Sequence, residues 1–226
     1  LRPERTGQVK KLVDQKRLAI GPWYTQTDAF FVDGESMIRN LTIGIKETKK
    51  YGEPMMVGYL PDTFGFNAQM PTILRNCGID NIIFWRGINL QKHVKQPYFL
   101  WKGLGEKAVI AGNLVDGYGA AAFLDDSDEY LNHRLFPAVE KLKSLTDQKE
   151  LLITAGGDQL RIVEDLPQKL ASINRKSPDQ YVVSSYETFI DTLRGKEDLE
   201  EYRGEFREPC SARVHKSIGS VRHDIK

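Results

Sequence analysis

The sequence predicts an α/β fold in which βα units repeat around a parallel sheet. Short β-favouring runs alternate with longer stretches of helical period, most of those runs are apolar throughout, and polar residues gather just after them. A strand covered by helices on both faces loses its polar side. Leu151-Leu152-Ile153 and Ile82-Ile83-Phe84 have that character.

Strands are predicted at Arg17 to Gly21, Pro54 to Leu60, Asn81 to Trp85, Ala108 to Ala111, Leu151 to Ala155 and Tyr181 to Ser184. Between the first two, Ile38, Leu41 and Ile45 recur at helical spacing opposite Arg39, Lys46 and Lys50, which gives an amphipathic helix from about Glu35 to Lys50. A shorter helix from Ala68 to Asn76 carries Pro71, tolerated in a first turn where an N–H has no partner to lose. Further apolar stripes run through Leu131, Leu135, Val139 and Leu142, through Leu166, Leu170 and Ile173, and through Tyr186, Phe189, Ile190 and Leu193. From Gly195 the chain turns charged and nearly free of apolar residues, so a boundary is placed there, with units at 1–194 and 195–226.

Composition narrows the function. The 226 residues are 40% hydrophobic, enough for a sizeable core, and 32 Lys and Arg against 31 Asp and Glu leave a net charge of +1 without a basic block. Nucleic acid and anionic membranes are therefore not expected as partners. Cys77 and Cys210 form no C-x-x-C, which argues against a disulfide framework or a thiolate zinc site and for a reducing compartment. No window is long and apolar enough for a membrane span and no apolar signal region follows Leu1, so a cytoplasmic location is expected. A homodimer is compatible with these features.

In βα folds the loops leaving the C-terminal ends of strands converge on one face, and chemistry collects there. Those loops carry Trp23, Tyr24 and Asp28, then Asp62, then Arg86, then Asp158. Aromatic faces beside carboxylates suit a sugar ring, and paired carboxylates are what glycosidic cleavage demands. Each aspartate has a plain structural alternative as the N-cap of a following helix. There is no G-x-S-x-G, no dinucleotide fingerprint and no phosphate loop, and His93, His133, His215 and His223 do not fall at metal-ligand spacing.

The runs Ile20 to Asp28, Gly58 to Gly65 continuing through Gln69 to Leu74, Phe84 to Gly87 and Phe99 to Gly103 together resemble the glycoside hydrolase family 38 α-mannosidases, particularly their bacterial branch. The resemblance covers roughly Leu18 to Asp158. It implies a parallel β/α barrel of seven strands, incomplete here and leading after 195 into the start of a helical bundle. It also implies a zinc-dependent retaining α-mannosidase. By position Asp28 resembles the nucleophile and a zinc ligand, and Asp158 the general acid/base, with a one-place shift to Gln159 left open. Trp23, Tyr24, Asp62 and Arg86 take substrate-binding or supporting places.

The sequence departs from that pattern in its metal ligands. The family's His-x-Asp pair does not precede Asp28, and the part resembling the bundle runs to the end of the chain, so the remaining zinc ligands are expected outside it. The alternative reading is a catalytically inactive carbohydrate-binding or interaction fragment.

Overall fold

The computed structural model of the protein describes residues 2–210 and 212–215. Helix α1 (Thr6–Asp14) precedes α2 (Gly34–Thr48), β1 (Gly58–Leu60), α3 (Met70–Asn76) and β2 (Asn81–Phe84). Strands β3 (Tyr98–Lys102) and β4 (Ala108–Asn113) follow, and then one continuous helical stretch: α4 (Asp128–Tyr130), a π-helical turn (Leu131–Leu135) and α5 (Phe136–Lys143). Helices α6 (Leu166–Lys176) and α7 (Tyr186–Leu193) lead to β5 (Glu201–Arg203).

The strands form one sheet in the order β1-β2-β4-β3-β5. β1, β2 and β4 are mutually parallel, β3 runs antiparallel to β4, and β5 lies parallel to β3. The described sheet is thus mixed and open: the expected incomplete parallel barrel is matched by the parallel strands β1, β2 and β4, while β3 departs from it. The cause of the reversal is local. β3 and β4 are joined by a tight connection closed by a Gly103 N–H to Lys107 carbonyl bond (3.0 Å), and so short a link can only return antiparallel. Three predicted strands, 17–21, 151–155 and 181–184, join no ladder among the described residues. Segment 17–21 touches its neighbour through one bond, from Met55 N–H to the Ile20 carbonyl (2.9 Å).

Burial explains the apolar character of the central strands. Leu60, Ile82, Phe84, Phe99 and Trp101 join Met37 and Leu41 of α2 and Met70 and Leu74 of α3 in one core. On the other face Ile83, Tyr98 and Ile110 meet Phe189, Ile190 and Leu193 of α7. Successive residues Ile82 and Ile83 point into different cores, as the two-residue period of a strand dictates. A third cluster joins Leu131, Leu135 and Val139 to Ile173 of α6.

Two details differ from the sequence pattern. The buried face of α2 is Met37, Leu41, Gly44 and Thr48, so Ile38 is left 43% exposed. The chain beyond Gly195 also returns to the sheet: β5 pairs with β3, and Phe206 is fully buried among Phe84, Phe99 and Trp101. The expected start of a helical bundle, in its 216–226 portion, lies outside the described residues.

An ion pair ties α7 to the sheet. The Arg194 guanidinium grips both oxygens of Asp80 beside β2, Asn81 Nδ2 donates to Oδ1 (3.0 Å), and the carboxyl is held below its ordinary range, chiefly by Arg194. A carboxyl with a lowered folded-state pKa adds stability above the unfolded value, and that stability is lost as pH falls through the folded one. Both groups are partly exposed, so Asp80→Asn should cost about 1 kcal/mol at neutral pH. Urea midpoints should show the cost shrinking toward zero in acid, and a cost independent of pH would refute the assignment.

Candidate active site

Local packing sets the position of Asp28. Gly44 lets α2 approach segment 22–24 so closely that a Cβ there would lie 2.2 Å from the Pro22 carbonyl oxygen and 2.3 Å from the Tyr24 nitrogen. Asn40, one turn earlier, accepts from the Tyr24 N–H (2.8 Å) and donates to the Thr25 carbonyl (2.9 Å). The loop is therefore docked on the helix just before Asp28. The Asp28 carboxylate accepts from the Thr63 hydroxyl and Phe30 N–H (both 3.3 Å) on Oδ1, and from Phe64 N–H (3.4 Å) on Oδ2. These contacts join the loop before α2 to the loop leaving β1.

Asp62 lies on that second loop and meets Arg86, which leaves β2. Arg86 Nε and Nη2 both donate to Asp62 Oδ1 (2.8 and 2.6 Å), and no bond from the described residues reaches Oδ2. The guanidinium stacks 3.8 Å from the Trp85 ring centroid and 5.1 Å from that of Phe64. Its remaining Nη1 donates to the Arg213 carbonyl (3.3 Å).

Asp28, Asp62 and Asp158 all line one cleft of about 1840 Å³. Tyr118, on the loop after β4, lines it too and donates from its hydroxyl to Asp158 Oδ2 (3.3 Å). Burial first, then the charges of Asp62 and Asp158, push the Tyr118 phenol above its ordinary pKa. Both carboxylates thus act on one phenol, although they lie far apart in the chain.

The helix-capping alternative goes elsewhere. Asp33 caps α2, accepting from Ser36 N–H (2.8 Å), while Asp62 pairs with Arg86 and α6 has no side-chain cap. The aromatic residues depart from expectation. Trp23 is only 7% exposed and belongs to the core beneath α2, and Tyr24 is exposed but off the cleft wall. Neither lines the cleft that carries the acids. Tyr118 is the site residue that sequence reading passed over. Its signal was the same strand-end rule, since Gly117-Tyr118-Gly119 follows β4 as Asp62 follows β1.

A catalytic zinc needs three or four protein ligands. Among the described residues no group of three or more His, Cys, Asp and Glu is placed to hold a metal ion, so by themselves they do not complete a zinc site.

Residues 1–205 match the family described as glycosyl hydrolases family 38 N-terminal domain. The chain belongs to glycosyl hydrolase family 38. A protein of Halalkalibacterium halodurans named "Putative mannosylglycerate hydrolase" is 27% identical over 221 residues, 92% of this chain and 25% of that protein. The crystal structure of an alpha-mannosidase from Enterococcus faecalis V583 superposes with a TM-score of 0.85 at 26% identity, covering 91% of this chain and 24% of that one. A 4-alpha-glucanotransferase from Thermococcus litoralis shares the fold alone, at TM-score 0.55 and 10% identity over 90% of this chain and 31% of that one. This family 38 chain spans about a quarter of the length of the first two relatives.

Proposed function

We propose that the chain carries the carboxylate centre of a retaining α-mannosidase working by double displacement. The observation that supports this is that Asp28, Asp62 and Asp158 all line one cleft, with Tyr118 hydrogen-bonded to Asp158. In the first step one carboxylate oxygen bonds to the anomeric carbon as the bond to the leaving oxygen breaks, and Asp158 gives that oxygen a proton. In the second step Asp158 takes a proton from water, the water oxygen bonds to the same carbon as that carbon's bond to the carboxylate breaks, and mannose leaves with the carboxylate restored.

Two carboxylates compete for the attack. The family resemblance gives it to Asp28. What supports Asp28 is its mooring: Thr63, Phe30 and Phe64 hold both of its oxygens through long bonds (3.3 to 3.4 Å) that leave lone pairs for attack, whereas Asp62 is tied to Arg86 by two shorter ones (2.8 and 2.6 Å). Arg86 then orients Asp62 as a supporting group through Oδ1 and spreads its own charge over Trp85. A zinc ion of the kind the resemblance implies would take only Asp28 from this chain, and no step above depends on it.

Trapping decides between them. The intact protein, incubated with a 2-deoxy-2-fluoro-α-mannosyl fluoride and digested, should yield one glycosylated peptide, and mass spectrometry should place the adduct on Asp28. An adduct on Asp62 would overturn that assignment and move the attack to the residue held by Arg86. Substrate binding without any adduct or turnover supports the carbohydrate-binding reading instead.

A further inference from the structure

We propose that Tyr118 is the positioning residue for Asp158, fixing one carboxyl oxygen so that the other faces the departing glycosidic oxygen. This rests on the reading of Asp158 as the acid/base. The hydroxyl donates to Asp158 Oδ2 (3.3 Å), which leaves Oδ1 for the proton in transit. Asp158 is exposed and this is its one side-chain hydrogen bond among the described residues, so nothing else in them selects its rotamer.

The two segments that carry this bond are stitched together independently of it. Gly156 N–H donates to the Tyr118 carbonyl (3.2 Å), Ala121 N–H to the Thr154 carbonyl (2.8 Å), and Thr154 Oγ1 to the Gly117 carbonyl (2.9 Å). Gly117, at φ +74°, brings the turn against Trp85, where a Cβ would lie 2.8 Å from the indole. The Tyr118 ring stands edge-on to that indole, centroids 5.5 Å apart at 85°. The phenol is therefore delivered by a rigid frame that also carries Arg86 on the same indole. With its pKa raised, it keeps its proton and remains a donor through neutral pH.

A misplaced acid slows substrates in proportion to how much their leaving group needs a proton. In the intact protein, Tyr118→Phe should lower kcat/KM for an α-linked mannobiose about tenfold, while 2,4-dinitrophenyl α-mannoside, whose leaving group departs as a stable anion, stays within about twofold. The readout is a ratio on one preparation, so a reduced folded fraction cancels. Equal losses on both substrates, or no loss on either, would overturn the proposal. Asp158→Asn is measured alongside. The same selective loss, and larger, upholds Asp158 as the acid, whereas equal loss on both substrates removes that assignment and the Tyr118 role with it.

Discussion

Gly44→Ala is expected to destabilise this chain by about 3 kcal/mol or more, although the same change in an exposed helix normally stabilises by about 1 kcal/mol. The added carbon would sit 2.2 to 2.5 Å from three backbone atoms of residues 22–24, none of which can swing aside like the end of a side chain. Helix and loop must separate by roughly an ångström to reach ordinary contact, which would also break the Asn40 bonds to Tyr24 and Thr25. Denaturant titration of the intact protein and protease sensitivity of residues 22–30 should change together. A stabilised Gly44→Ala protein would show that the helix does not press on this loop.

Phe206→Ala should cost about 3 to 5 kcal/mol, the range for deleting a buried aromatic. Phe206 stacks on Phe84 at 5.1 Å and on Tyr202 at 5.1 Å and lies 4.3 Å from Trp101, with no exposed surface. Its backbone is equally committed, since its N–H and carbonyl exchange bonds with Phe66 (2.9 and 2.8 Å) and Glu208 N–H donates to Gly87 (3.0 Å). Gly65 and Gly87 leave room for this backbone, where a Cβ would lie 2.4 and 2.7 Å from the Phe206 oxygen. Amide exchange at Phe66 and Glu208 should rise in Phe206→Ala, with Phe206→Leu intermediate. Unchanged protection at both amides would show that the ring does not hold the segment.

The parts of the fold legible in the sequence are those whose cause is local. The runs around Gly58, Ile82 and Val109 form strands because their apolar residues serve two cores, and α6 and α7 follow their stripes. β3 has a local signal of its own, since Phe99 to Trp101 followed by Gly103 and Gly105 is a hairpin pattern. β5 is hidden because Glu201 and Arg203 look like solvent-facing loop, and its strand character comes from backbone pairing to Leu100 and Lys102. Segments 151–155 and 181–184 show the converse, since an apolar extended run becomes a strand only where a partner lies alongside. At the site, sequence order supplied the acids but not their pairing: that Asp28 meets Thr63, or that Tyr118 reaches Asp158, depends on loop directions set by Gly44 and Gly117.

The exchange of bonds between Phe66 and Phe206 spans 140 positions (206 − 66), so the loop bearing Asp62 waits for a clasp made much later on the ribosome. At about 5 to 20 residues per second, that delay is roughly 7 to 28 s. Until Phe206 emerges, Phe84 and Trp101 lack one of their ring neighbours, and the segment bearing Asp62 stays unlatched.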